Sequence, residues 1–262
     1  MKLYLAPFSY GGMHPCTVES LIAEVRLLDQ KKVPITLKQV HDDALISRSR
    51  SRAMTEFLGS DCDVFFMLDH DIEWNAGDLL ATADMAHLKK SIVGGMYSMR
   101  GKNQGCAGRL VNNPGKLSTT VHIGRDTLHE AEFVPGGFTA IPRVVVEEVL
   151  KAGETPAQAL SAEGVPGSYA ADFEVAGAAV VECLDYVPFY DFFRCATVPS
   201  ELIPGRMEYL SEDFAFCKRA RWANPTRKQY LWSKPVLTHH GAYGYVMAEA
   251  AQPVAPVSLV KP

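Results

Sequence analysis

The sequence predicts an α/β fold: a mostly parallel central sheet flanked by helices. Three observations carry that expectation. Residues 3–6, 18–32 and 35–40 read in turn as strand, helix and strand, and that order implies a right-handed crossover between parallel strands. The apolar run Val64-Phe65-Phe66-Met67-Leu68 is too short for a buried helix and has no polar face, as in a strand covered on both sides. A helix over 78–90 and a strand over 91–97 then repeat the alternation.

The elements follow in order. Residues 3–6 are a strand that Pro7 and the Gly11-Gly12 turn bring to an end. Val18, Leu21, Ile22, Val25 and Leu28 lie at helical spacing, with Thr17 as the N-cap and Pro34 beyond the far end. Residues 35–40 alternate apolar and polar, as a strand does. Arg48, Arg50 and Arg52 precede a helix over 53–58 and do not fit on one helical face, so they divide between a cleft and solvent. An Arg-bearing helix start beside strand-end carboxylates suits a diphosphate.

The strand at 64–68 stops at Asp69-His70-Asp71. Ligands of open α/β sheets collect outside the carboxyl ends of strands. Two carboxylates spaced i, i+2 at that place suit a hard divalent cation that also binds substrate phosphate. Solvated acids at a polar strand end are the plainer alternative. Beyond the strand at 91–97, with its Gly94-Gly95 close, residues 101–130 read as loops or a small hairpin that acts as a lid. Pro135-Gly136-Gly137 leads into a strand at 138–141 and a helix at 144–150. Residues 151–175 look irregular. Tyr186, Phe189, Tyr190, Phe192 and Phe193 form an aromatic cluster that either stacks on a ligand or packs in the core. Ser211-Glu212-Asp213 opens a helix, with Ser211 as N-cap and two acids in the first turn. His239 and His240 close a strand on opposite faces, so only one of them enters a site there.

Composition narrows the function. A chain of 262 residues with 47% hydrophobic and 21% charged residues has the make-up of a globular protein. A formal charge of -4 argues against a wholesale basic nucleic-acid surface. The six cysteines show no C-x-x-C pair and no zinc spacing, so free thiols in a reducing compartment are expected. No long apolar span and no signal pattern is seen, which predicts a soluble protein of the cytoplasm without a membrane partner.

The run ISRSRSRAMTEFLGSDCDVFFMLDHDIEW, together with SEDFAFCKRAR and HHGAYGY, resembles nucleotide-sugar glycosyltransferases of the GT-A fold. It is most similar to small bacterial and bacteriophage members, whose cytoplasm would then be the host's. The resemblance spans residue 3 to about residue 245. It implies one domain over 1–246, with a nucleotide-sugar half at about 1–100, an acceptor half at about 130–246 and a tail at 247–262. It implies a metal site of Asp69, Asp71 and His239 for Mn²⁺ or Mg²⁺. The D-x-D register assigns the metal to Asp71 and the ribose side to Asp69, and H-x-G-x-Y selects His239 over His240. Donor contacts are implied at Pro7, Tyr10, Arg50, Asp69 and His70, with a UDP-sugar as the usual donor. Asp213 is implied as the base below the acceptor hydroxyl, with Glu212 beside it. Two departures stand out: Ser51 where relatives carry Asn, and Ala223-Asn224 where they carry Gly.

The expected activity is metal-dependent sugar transfer from a nucleoside-diphosphate sugar to a hydroxyl. The acceptor is a hydroxymethylated pyrimidine in phage DNA, with Arg48, Arg50, Arg52 and the run Lys218-Arg219-Ala220-Arg221 touching phosphates, or else a bacterial glycan or protein. A nucleotidyltransferase is a second reading, weakened by the lack of a Gly-rich loop with Lys after the first strand. A non-catalytic nucleotide- or glycan-binding module is a third. Neither the oligomeric state nor the stereochemical outcome is encoded legibly.

Overall fold

A computed structural model describes residues 1–41, 43–100, 105–111, 123–154, 180–183, 186–200, 204–241 and 244–246. Its elements are β1 (Leu3–Ser9), α1 (Pro15–Gln30), β2 (Ile35–Leu37), β3 (Val40–His41), α2 (Ile46–Leu58), β4 (Val64–Asp69), β5 (Ile72–Glu73) and α3 (Asp78–Lys89). They continue with β6 (Val93–Gly95), β7 (Arg109–Leu110), β8 (Leu128–Phe133), β9 (Phe138–Pro142), α4 (Arg143–Glu154), β10 (Val180–Cys183) and β11 (Tyr186–Tyr190). The last are β12 (Ala196–Pro199), β13 (Met207–Leu210), α5 (Glu212–Ala223), β14 (Gln229–Trp232), β15 (Thr238–His240) and β16 (Gly244–Val246).

The class is α/β, as expected. A central sheet of nine strands runs in the order β2-β1-β4-β9-β6-β14-β8-β7, with β3 also on β1. β1 pairs in parallel with β2, β3 and β4, and β6 with β14. β9 and β8 run against their neighbours, so the sheet is mostly parallel and mixed. β4 is an interior strand between β1 and β9, and Val64 to Leu68 are buried without exception. One core cluster holds Phe57, Phe65 and Phe216, and the other holds Phe66, Phe138 and Trp74. Alternate β4 side chains thus feed opposite faces, the geometry of a strand sandwiched between two layers. Outside this sheet β5, β15 and β16 form a small antiparallel sheet. None of the described helices is long and apolar enough to cross a membrane.

Several local expectations are corrected. β1 does not stop at Pro7 but runs to Ser9. Its neighbour changes from β2, opposite residues 3–5, to β3, opposite residues 8–9, and Pro7 falls between these two pairings. The same break divides the strand expected at 35–40. α1 starts at Pro15 with His14 as N-cap, not at Thr17, because proline is pre-shaped for the first helical position. The apolar stripe expected to face the core is turned outward in part: Val18 and Ile22 are exposed while Thr17, Ser20, Glu24 and Leu28 are buried. α2 begins at Ile46 and includes all three arginines.

Within residues 101–130 the described parts include β7 and the first half of β8, a sheet edge rather than loop alone. The hairpin β12–β13 and the strand β14 are additional to the expected elements. Phe189, Phe192 and Phe193 pack in the core, while the side chain of Tyr186 lies outside the described residues. Residues 155–175 and the tail 247–262 also lie outside them. Of the cysteines, Cys62 and Cys217 are buried free thiols, and Cys16, Cys106 and Cys195 are half-buried free thiols.

Candidate active site

The carboxyl ends of β1 and β4 and the first turn of α2 enclose a cleft of about 340 Å³. It is lined by Phe8, Ser9 and Tyr10 from β1 and its turn, by Asp43, and by Arg50, Asp69, His70 and Glu212. Arg50 organises its floor. The side chain is 3% exposed, and its guanidinium donates to Asp69 Oδ1 at 2.6 Å and to Glu212 Oε1 at 2.7 Å. Burial opposes its charge, but Asp69, Glu212 and Asp213 outweigh burial and hold it more basic than usual. Burial also pushes the Glu212 carboxyl up, against the pull of Arg50. Arg48, two residues earlier and on the opposite side of α2, pairs with Asp43 through two bonds of 2.9 and 2.6 Å. Arg52 is half-buried.

The Pro-Gly-Gly turn meets this group from β9. A β-carbon on Gly136 would sit 2.3 Å from Arg50 Nη1, and one on Gly137 would sit 2.6 Å from the Tyr97 hydroxyl and 3.0 Å from Asp69 Oδ2. Only glycine lets the backbone press against a guanidinium and a carboxylate this closely. The Gly136 N–H donates to Asp213 Oδ2 at 2.9 Å, and the Gly137 N–H donates to the buried Tyr97 oxygen at 3.0 Å. Burial, then Asp69 and Asp213, keep the Tyr97 phenol well above its ordinary pKa, so it stays protonated. Ser211 occupies the N-cap position of α5 without a side-chain capping bond; its hydroxyl donates to Asp213 Oδ1 instead.

Asp71 lies past the end of β4. β5 pairs with β15, setting His239 opposite Ile72, and the His240 N–H donates to the Asp71 carbonyl at 2.7 Å. Successive histidines then face apart. His239 Nδ1–H donates to the Ser98 carbonyl at 2.9 Å, which leaves Nε2 with its lone pair 3.6 Å from Asp71 Oδ1. Burial lowers the His239 pKa, and Arg100 adds to this, so the ring is neutral near neutral pH. His240 instead meets Glu73 at 2.7 Å and stacks on His14.

Asp71 is 4% exposed, and neither carboxylate oxygen has a well-formed hydrogen bond. Facing them are His70 Nε2 at 3.7 Å, His239 Nε2 and the guanidinium of Arg100, which also donates to His239 Nε2 at 3.0 Å. A buried carboxylate without a well-formed hydrogen bond, next to an imidazole nitrogen, is a donor set that fits a divalent cation, which would displace the Arg100 guanidinium from both groups. Asp71, His239 and, across the same loop, Asp69 are the residues that would hold it, with Ser98 orienting the imidazole.

The structure therefore brings Arg50, Asp69, His70 and Glu212 to one cleft; Asp213 lies beside Arg50 on the Gly136 N–H, and Asp71 and His239 face each other just beyond His70. Tyr10 lines the cleft with its ring 70% exposed. Pro7 does not line it: the residue is buried within β1, opposite Leu68. Lys218 and Arg219, expected to touch phosphates, are buried, and Arg219 donates to the carbonyls of Phe192 and Arg194. They are core cations: Arg219 faces the segment that leads into β12, and Lys218 lies near Glu132 of β8. Arg100, Ser98 and Asp43 escaped sequence reasoning. A single arginine or serine in a loop carries no periodicity or spacing to mark it.

No protein-family profile matches this chain, and no curated protein matches it. Solved structures similar to it include the following two. The crystal structure of GalNAc-T7 with UDP, GalNAc and Mn²⁺ aligns over 91% of this chain and 43% of that chain, with a TM-score of 0.44 and 8% identity. The crystal structure of A197 from STIV covers 98% of this chain and 100% of that chain, with a TM-score of 0.51 and 12% identity. At that identity the likeness speaks for the fold alone: this chain has an overall α/β architecture similar to that of A197 from STIV.

Proposed function

We propose that this protein is a metal-dependent glycosyltransferase of the GT-A type, moving a sugar from a nucleoside-diphosphate sugar to a hydroxyl acceptor. The observation that carries this reading is the Asp71 carboxylate, buried and without a well-formed hydrogen bond, facing Nε2 of His239 and the Arg100 guanidinium, one residue beyond His70 of a cleft floored by Arg50. The resemblance of the D-x-D, S-E-D and H-x-G-x-Y stretches supports it independently. A bound Mn²⁺ or Mg²⁺ would supply Lewis-acid neutralisation of the departing diphosphate.

The chain's own residues do the rest. Ser9, Tyr10 and Asp43 line the cleft, and in this reading they face the nucleoside of the donor, a uridine. Arg50 holds Asp69 and Glu212 in fixed positions, so the cleft is pre-organised before a donor arrives. Asp213, held by Gly136 and Ser211, is the base for the acceptor hydroxyl in an inverting transfer, and Glu212 is its neighbour. In a retaining transfer Asp213 would orient the sugar instead. The acceptor is a hydroxyl on a glycan, a protein or a hydroxymethylated pyrimidine. Burial of Lys218 and Arg219 removes part of the basic surface that favoured DNA.

The test is mass spectrometry of products from mixed nucleotide sugars and a panel of acceptors, hydroxymethylcytosine DNA among them. Acceptor mass raised by one sugar, with a nucleoside diphosphate released, is the expected result. Release of pyrophosphate would mark a nucleotidyltransferase, and no turnover of any donor would mark a binding module.

A further inference from the structure

A second cluster of metal-ligating side chains lies next to the proposed site and takes no part in it. His14, Cys16 and His240 each direct one ligand atom into a common space, and these atoms lie within 4.8 Å of one another. All three side chains are half-buried, accessible to an ion yet held by their elements. His14 is the N-cap of α1, its N–H tied to the His70 carbonyl at 2.8 Å. Cys16 is in the first turn of the same helix, and His240 ends β15.

We propose that His14, Cys16 and His240 form a second metal centre, for a borderline-soft divalent ion such as Zn²⁺, that clamps the start of α1 to β15. The donor types fit, since thiolate and imidazole select zinc over the hard ions that suit carboxylates. The outer contacts fit as well. Glu73 lies 2.7 Å from His240 Nε2, and a metal-binding histidine typically gives its other ring N–H to a carboxylate in this way. That leaves Nδ1 of His240 for the ion. On His14 the Nδ1 lone pair is taken only by a long 3.3 Å bond from the Cys16 N–H, which an ion readily replaces.

Tetrahedral bonds of about 2.0–2.3 Å put ligand atoms roughly 3.4–3.8 Å apart, so the cluster contracts by about 1 Å on binding. The two imidazoles now stack at 4.2 Å with 13° between their planes. One ring, that of His14, must turn about its Cβ–Cγ bond to aim its lone pair at the same ion. With three protein ligands, a water completes the shell. The turn after β1 and the strand β15 flank the Asp69–Asp71 loop on either side, so an ion here would brace that loop. The thiolate distinguishes this centre from the oxygen-rich one beside it.

Co²⁺ replaces Zn²⁺ and reports its ligands by colour. Metal-free protein titrated with Co²⁺ is expected to develop a thiolate-to-cobalt charge-transfer band in the near ultraviolet, one ion per chain, bleached by Zn²⁺. C16S and C16A should both lose the band, and H14A and H240A should weaken Co²⁺ binding at least tenfold. D71A and H239A should keep the band. Circular dichroism checks that each variant is folded, and Zn²⁺ should raise the melting temperature of wild type but not of C16S. Absence of the band in wild type, or its survival in both Cys16 variants, overturns the proposal. Its loss in folded D71A overturns the claim of a separate centre.

Discussion

At the scale of single residues, the chemistry concentrates on Asp71 and the groups that face it. D71A and H239A should each reduce Mn²⁺ binding by at least about tenfold, since each removes one of few protein ligands. H240A should bind Mn²⁺ like wild type, because that ring faces Glu73 and His14. Mn²⁺ titration followed by electron paramagnetic resonance separates the three. Arg100 supplies the opposite test. Its guanidinium now answers the Asp71 charge and takes the His239 lone pair, so it competes with any cation for both groups. R100Q should therefore tighten Mn²⁺ binding by about tenfold, equivalent to ~1.4 kcal/mol. Weaker binding in R100Q would mean that Arg100 supports the site instead. D213N tests the acceptor side. It keeps the shape and removes the basicity, so kcat should fall by about 10²–10⁴-fold with donor binding nearly unchanged if transfer inverts. Proton NMR of fresh product gives the configuration, and an inverted product from a fully active D213N enzyme would shift the base assignment to Glu212.

At the scale of elements, two charges, the half-buried Arg143 and the buried Glu24, join helices that the sequence leaves unconnected. Arg143 opens α4, yet its guanidinium caps the far end of α2, donating to the carbonyls of Phe57, Leu58, Ser60 and Cys62. A helix end exposes carbonyls that need donors and favours a positive charge, and the same group lies 4.6 Å from the Phe57 ring centre. R143A should lower unfolding stability by about 2–4 kcal/mol, with R143K recovering part of it, as measured by urea denaturation. Glu24 does the reverse for α3. Its carboxylate accepts from the Trp74 indole and from the Gly77 and Leu80 N–H groups, which explains an acid on the buried face of α1. Amphipathic periodicity placed that face wrongly because it scores Glu24 as solvent-facing and Val18 and Ile22 as core.

At the scale of the whole molecule, the buried basic face of α5 makes stability depend on pH. Burial, then the charge of Arg221, lowers the Lys218 pKa to about 8, with Glu132 opposing and Arg109 adding to the shift. Below about pH 8 the folded protein carries this desolvated charge and its penalty is fully present. As pH rises above that value the folded form sheds the proton while the unfolded form keeps it, so the penalty is relieved. K218M should thus be more stable than wild type at neutral pH, and the gap should narrow between about pH 8 and the ordinary lysine value of 10.5. Urea midpoints across that range check it; a gap independent of pH would show that packing, not charge, sets the difference.

Local patterns in the sequence determined the α/β class, the buried strand β4 and the positions of the two carboxylates at and just past its end. These are properties of a few adjacent residues: an apolar run of strand length, a helical spacing, an acid pair where the run stops. The resemblance added candidate partners residue by residue, and most of them meet in the cleft. Pairings between distant segments were decided only by the tertiary structure. The 162-residue span from Arg50 to Glu212, the contact of Gly136 with Arg50, and the turning of His239 toward Asp71 all depend on which strands lie side by side. So does the fate of each charge, since Lys218, Arg219 and Glu24 read as surface residues in isolation. Charge and periodicity in a sequence state what a residue prefers on average. Whether a buried partner satisfies it is fixed by the packing of the whole chain.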